Sequence, residues 1–164
     1  MKYKASLIVP VFNEYLFLNS ICLKLKNTFE SKNIKFIFVD DGSKDGSSRW
    51  LNDNLKEIFN KANFELIILK KNHGKGFAIR EAIKKIEGDY TLFIDSDLEY
   101  QPSDLLEMYN VILKDNTINV LYGSRNLGSK TQLRKYFLNG IAVKINTWIF
   151  NFLFRQSLTD LHTG

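Results

Sequence analysis

Ile34-Lys35-Phe36-Ile37-Phe38-Val39-Asp40-Asp41-Gly42-Ser43 is an apolar run of strand length, interrupted only by Lys35, that stops at two aspartates and a glycine. A strand with one wet face alternates apolar and polar residues, whereas a run without alternation is buried on both faces, as in a parallel sheet. Turn-forming residues continue through Lys44-Asp45-Gly46-Ser47, and beyond them Trp50, Leu51, Leu55, Ile58 and Phe59 recur on one helical face. The stretch therefore reads as strand, loop and helix, with Asp45 or Ser47 as a cap for the helix that follows.

The same unit repeats outward. Ala5 to Val11 is a short apolar strand, Asn13 is a good N-cap, and Leu18, Ile21, Cys22, Leu25 and Phe29 follow at helical spacing. Phe64 to Leu69 leads through Asn72-His73-Gly74-Lys75-Gly76 into a helix carrying Ala78, Ile79, Ala82, Ile83 and Ile86. Tyr90 to Ile94 is a fourth strand. Pro102 and Ser103 suit a helix start, Leu105, Leu106, Tyr109, Ile112 and Leu113 supply its apolar stripe, and Ile118 to Tyr122 reads as a fifth strand. Strands alternating with helices predict an α/β fold: a mainly parallel sheet with helices on both faces, binding ligands at the carboxyl ends of its strands.

The chain has 164 residues, 45% of them hydrophobic and 25% charged, which fits one globular domain rather than a disordered segment. No linker, low-complexity tract or solenoid-period repeat marks an internal boundary. Cys22 is the only cysteine, so an intramolecular disulfide and a cysteine-cluster zinc site are excluded, and its apolar helical neighbours assign it to the core. No secretion signal is read at the N-terminus. The net charge of +5 favours anionic partners, but the lysines are scattered without interleaved aromatics, so nucleic acid is not expected.

Chemistry is concentrated at the strand ends. Asp95, Asp97 and Glu99 stand at every second position after Ile94; if the strand persists, their carboxylates leave on one face. Three convergent carboxylates need a cation, and hard oxygen ligands suit Mg²⁺ or Mn²⁺ beside a phosphorylated substrate. A lone Asp-x-Asp is as readily a solvated acidic turn. Asp41 and Gly42 could form a tight turn, or offer a ribose-binding carboxylate and a close backbone approach to a ligand. The loop of Gly74 and Gly76 could cradle phosphate. Ile79 nevertheless stands where a dinucleotide fingerprint wants a small residue, and Lys75 lacks the Walker spacing. With only His73 and His162, a histidine-rich metal site is implausible. Arg125, followed by Arg134 and Lys135, could stabilise charge on a departing diphosphate.

Five motifs in order make the chain resemble family 2 glycosyltransferases with the GT-A fold. They are Ile8-Val9-Pro10-Val11-Phe12-Asn13-Glu14, the segment from Val39 to Ser47, Asn72-His73-Gly74-Lys75-Gly76, Asp95-Ser96-Asp97-Leu98-Glu99-Tyr100 and Tyr122-Gly123-Ser124-Arg125. Gly123-Ser124-Arg125 and the closing Leu158-Thr159-Asp160-Leu161-His162-Thr163-Gly164 look most like the dolichol-phosphate mannosyltransferase group of polyprenyl-phosphate sugar transferases. The resemblance implies that Pro10, Phe12, Glu14 and Asp41 hold the base and ribose of a nucleotide sugar, with Gly42, Lys75, Asp95 and Ser96 completing that site. It implies Mg²⁺ or Mn²⁺ on Asp95, Asp97 and Glu99, where dolichol-type relatives often carry glutamine at the last position. It places Arg125 and Arg134 at the diphosphate or acceptor phosphate, and Asp97 and Asp160 with them among the catalytic residues.

The implied reaction is inverting transfer of a sugar from a GDP-mannose or UDP-glucose type donor to a polyprenyl or dolichyl phosphate, by a cytoplasmic protein that could lie peripherally at the cytoplasmic face of a membrane. A saccharide hydroxyl acceptor would instead need a carboxylate base, for which Asp160 is a candidate and a capping role an equal reading. Phe137 to Phe154 is too interrupted by polar residues for a spanning helix; its aromatic and basic content suits an interfacial one, and a core helix is the alternative. Because Gly164 falls inside a family motif, the expectation is one domain over residues 1–164, short of the acceptor side, or a nucleotide-binding module without turnover. A haloacid-type phosphatase is disfavoured by Glu99, where that class carries Thr or Val.

Overall fold

Strands buried on both faces must lie between neighbours, and the sheet has that form. The computed structural model describes residues 3–59, 63–115, 117–123, 137–155, 157 and 159, including side chains except over 137–143. In chain order the elements are β1 (Ala5–Val11), α1 (Tyr15–Phe29), β2 (Ile34–Asp40), α2 (Ser47–Ile58), β3 (Phe64–Ile68), α3 (Lys75–Ile83), β4 (Tyr90–Phe93), α4 (Pro102–Lys114) and α5 (Phe137–Phe154). The strands are all parallel in the order β3-β2-β1-β4. The two inner strands, β1 and β2, are buried at every position but Pro10, which is partly exposed, as their continuous apolar runs require.

Period two along the inner strands sends side chains to two unequal layers. Ala5, Leu7, Val9 and Val11 of β1 and Ile34, Phe36 and Phe38 of β2 meet Leu18, Ile21, Cys22, Leu25 and Phe29 of α1, Leu51 and Leu55 of α2 and Tyr109 of α4. Ile8, Ile37 and Val39 point the other way onto Ala78 and Ala82 of α3. Helices thus cover both faces. Cys22 lies wholly inside the larger layer, and burial pushes its thiol up to about 12, so it packs as a small hydrophobe.

Two expectations fail here. Residues 118–122 form no strand: Val120 and Tyr122 are exposed, no ladder among the described residues includes the segment, and the Ile118 N–H donates to the nearby Asp115 carbonyl (3.3 Å). Apolar alternation alone does not stabilise an extended segment without ladder partners. Asn13 does not cap α1 either; it adopts φ +57° and Glu14 occupies the cap position, because the side chain of Asn13 is turned to another loop.

The chain divides into two compact units, Met1–Lys114 and Asp115–Gly164. The first carries the sheet and α1 to α4. The second carries α5, on which Ile145, Trp148, Ile149, Phe152 and Leu153 are exposed while Thr147 is buried. Trp148 and Phe152 stack with ring centroids 6.0 Å apart. Among the described residues no helix is long and apolar enough to cross a membrane.

Candidate functional site

Parallel strands deliver all their following loops to one edge. In the order β3-β2-β1-β4 the winding reverses beside β1, so the ligand crevice expected of such sheets opens between β1 and β4. Pro10 helps to open it. The ladder from β1 to β4 reaches Ile8, whose carbonyl accepts the Ile94 N–H (3.2 Å), and the next backbone position facing β4 is Pro10, which has no N–H to give. Its carbonyl instead accepts the hydroxyl of Ser96 (3.0 Å), so Ser96 is a buried clasp across the crevice floor.

The adjacent Asp40 and Asp41 are both buried but do different work. Asp40, in register with Val11, turns back toward α2, where its Oδ2 accepts from the Ser48 hydroxyl (2.5 Å) and the Ser43 N–H (3.3 Å). Asp41 is 3% exposed and accepts two consecutive backbone donors from the loop after β3, His73 N–H on Oδ1 (2.9 Å) and Gly74 N–H on Oδ2 (2.7 Å). The backbone approach that Gly42 permits is to that same loop. With φ +70°, a Cβ on Gly42 would lie 2.4 Å from the Lys71 carbonyl carbon and 2.7 Å from the Asn72 nitrogen.

The loop after β1 is fastened just as closely. Asn13 N–H donates to Ser43 Oγ (2.9 Å), Glu14 N–H to Ser47 Oγ (3.0 Å) and Tyr15 N–H to Asp45 Oδ2 (2.9 Å), while Asn13 Oδ1 accepts the Lys44 N–H (2.8 Å). Asp45 Oδ1 also accepts the Ser47 hydroxyl (2.6 Å) and N–H (3.0 Å). Ser43, Asp45 and Ser47 thus satisfy donors at the start of α1, and Asp45 also takes the first amide of α2. Sequence reasoning assigned Asp45 or Ser47 to the following helix alone; nothing in local spacing signals a cap made across two loops.

The acidic end of β4 departs from expectation. The strand stops at Phe93, residues 96 and 97 turn, and Leu98 adopts φ +63°. Asp97 Oδ1 accepts the Glu99 N–H (2.9 Å), an Asx turn that breaks the alternation on which three convergent carboxylates depended. Glu99 is exposed, and no group of three acidic, histidine or cysteine side chains able to hold a metal occurs among the described residues. The backbone after β4 therefore does not carry Asp95, Asp97 and Glu99 out on one face of a strand. Asp95 and Asp97 still fit a divalent cation, because Mg²⁺ takes hard oxygens and uses only one or two protein carboxylates when phosphate completes its shell. Asp95 is meanwhile paired to Lys75 from the start of α3, with Nζ 2.7 Å from Oδ1 and 2.9 Å from Oδ2.

Glu14 faces this negative edge. Burial, then the charges of Asp97, Asp45 and Asp95, hold its carboxyl above the usual carboxylate range. A carboxyl that binds its proton more tightly folded than unfolded adds stability below its unfolded pKa, and that contribution is lost as pH rises through the folded value. Glu14→Gln is therefore expected to raise the melting temperature at pH 7 by about a degree or two, and not at about pH 3, where the carboxyl is largely protonated in the folded and the unfolded chain alike. Thermal unfolding at the two pH values checks this; equal shifts at both would disprove it.

Of the other residues singled out, Phe12, the first residue past β1, is exposed. Arg125, Arg134 and Asp160 lie outside the described residues.

The model of glycosyl transferase family 2 matches residues 6–162. A dolichyl-phosphate beta-glucosyltransferase of Dictyostelium discoideum is 28% identical over 87% of this chain and 48% of its own length. Its namesake from Saccharomyces cerevisiae is 30% identical over 97% of this chain and 52% of its own. The chain thus spans about half the length of these curated relatives. A mannosyltransferase of Pyrobaculum calidifontis, solved with GDP-Man and Mn²⁺, superposes with a TM-score of 0.58 at 22% identity, covering 72% of this chain and 34% of its own. That likeness shows the fold, the GT-A arrangement of the sheet and its helices.

Proposed function

The chain belongs to glycosyl transferase family 2, and from that premise we propose that it transfers a sugar from a nucleoside-diphosphate donor to a polyprenyl phosphate in a metal-dependent, inverting reaction. The observation that carries this reading is the meeting of Glu14, Asp95, Asp97 and Lys75 at the crevice where β1 and β4 part, with Phe12 exposed just past β1. The relatives that act on dolichyl phosphate by name, and the mannosyltransferase solved with GDP-Man and Mn²⁺, support the acceptor and donor classes.

Roles follow from chemistry. Phe12, Pro10 and Glu14 line the side of the crevice that would take the base and ribose, and Asp41 with Gly42 holds the loop that presents Lys75. Asp95 and Asp97 would hold Mg²⁺ or Mn²⁺, which would supply positive charge to the leaving diphosphate. Lys75 supplies a second positive charge there, and Arg125 and Arg134 are assigned to the diphosphate or acceptor phosphate. A phosphate acceptor is already ionised near neutral pH, so attack on the anomeric carbon needs no strong base, and one displacement inverts that centre. With a hydroxyl acceptor, Asp160 would serve as the base. The exposed Trp148, Ile149, Phe152 and Leu153 of α5, beside Lys144 and Arg155, suit contact with a membrane face where such an acceptor resides.

The test is metal-dependent thermal shift with UDP-glucose and GDP-mannose, followed by transfer to a polyprenyl phosphate. Stabilisation that needs Mg²⁺ or Mn²⁺, together with glycolipid formation, is the expected result. Binding without transfer would favour the second reading, a donor-binding module. No stabilisation by any nucleotide sugar would overturn both.

A further inference from the structure

Glu14 is the only carboxylate that the first strand's loop sends toward the β4 end, yet its segment has no side-chain cap of its own. Its backbone is held from outside. Three consecutive amides, Asn13, Glu14 and Tyr15, donate in turn to Ser43, Ser47 and Asp45, three residues spaced at every second position of the next loop. From these contacts we infer that Asp45 is a positioning residue for donor binding, acting with Ser47 to set the backbone from which Glu14 projects into the crevice. The inference rests on the proposed donor site but concerns residues to which the site reading gives no role.

Asp45 is placed for this because one carboxylate joins both helices. Oδ2 takes the first amide of α1, while Oδ1 takes the amide and hydroxyl of Ser47 at the start of α2. The Ser47 hydroxyl, its proton committed to Asp45, presents its oxygen to Glu14 N–H. Losing Asp45 therefore frees the Tyr15 amide and releases the serine that holds Glu14. Gly46 lets the ring of Tyr15 lie close over this join, 3.4 Å from where a Cβ would be.

The decisive comparison uses Asp45→Ala, Ser47→Ala and Ser48→Ala in the full chain. Ser48→Ala is the control, since it removes a hydrogen bond from the same helix, to Asp40, whose link onward to the β1 loop runs through Ser43 to Asn13 and not to Glu14 or Tyr15. Amide exchange should rise about tenfold or more at Glu14 and Tyr15 in Asp45→Ala, and at Glu14 in Ser47→Ala, but not in the control. Donor affinity, measured by calorimetry with the nucleotide sugar that binds the parent chain, should fall about tenfold in the first two and stay unchanged in the third. Combined with Glu14→Ala, the Asp45→Ala loss should largely disappear, because both changes remove the same interaction.

Full additivity in that cycle, or parental affinity in Asp45→Ala, would overturn the positioning role. If no donor binds the parent chain, the functional reading fails by itself and exchange alone judges the clamp. Rapid exchange at Glu14 and Tyr15 in the parent would then overturn it.

Discussion

A Gly42→Ala chain is expected to melt about 5–15 °C below the parent, a loss of about 2–5 kcal/mol. Two separate costs add. At φ +70° an L side chain enters a backbone region that only glycine visits freely, worth about 1–2 kcal/mol. The new methyl would also sit 2.4 Å from the Lys71 carbonyl carbon and 2.6 Å from its Cα, and these are backbone atoms that cannot rotate aside. Overpacking of that kind typically costs about 1–3 kcal/mol. The loop that would be displaced is the one Asp41 holds through His73 and Gly74, so the presentation of Lys75 to Asp95 should suffer as well. Gly76→Ala is the contrast. Nothing lies within 4 Å of its Cβ position in α3, and alanine there should be neutral or stabilising by up to about 1 kcal/mol. Calorimetric or spectroscopic melting of the two variants decides the matter; a parental melting temperature for Gly42→Ala would refute the close approach of the two loops.

Asp97→Asn is expected to lower sugar transfer about 100-fold or more, the scale of removing a charge that organises the leaving group's environment. Asparagine keeps an oxygen for the Glu99 amide, so the turn after β4 survives and the fold should melt within about 2 °C of the parent. What it lacks is the anionic oxygen that Asp97 offers beside Asp95. The readout independent of turnover is the stabilisation by Mn²⁺ with a nucleotide sugar, which should be lost in Asp97→Asn. Glu99→Gln should lose less than about tenfold, since Glu99 points to solvent. Equal losses in the two variants would give Glu99 the same weight as Asp97 in holding the metal, and an unchanged metal response in Asp97→Asn would rule Asp97 out as a ligand.

These expectations turn on features that differ in how far they could be read from the chain. The β2 run and its terminal Asp40-Asp41-Gly42 announce a buried parallel strand ending at a site, because continuous burial has a direct sequence signature. The apolar spacing of Leu18, Ile21, Cys22, Leu25 and Phe29 likewise matches the buried face of α1 residue for residue. Ile118 to Tyr122 carried a comparable apolar signal without becoming a strand, because a strand requires partners that a local window does not contain. Asp95, Asp97 and Glu99 were legible as a chemical cluster but not as a geometry. One side-chain bond from Asp97 to the Glu99 amide was enough to convert alternation into a turn.

Much local order was set by the amino-acid sequence alone: four of the five runs read as strands, the helices that follow them, that strand ends carry the acids, and that five motifs follow in the order of family 2. Hydrophobic periodicity and turn chemistry act over a few residues, so they are written locally. Only the tertiary structure decided which atoms those motifs serve. It turned Asp41 onto His73 and Gly74, gave Asp45 and Ser47 to the start of α1, set Lys75 on Asp95 and left Pro10 at the point where β1 and β4 part. Each of these is a contact between loops far apart in sequence, and a hydrogen bond or ion pair of a few ångströms exists only once the sheet has brought both partners to the same edge.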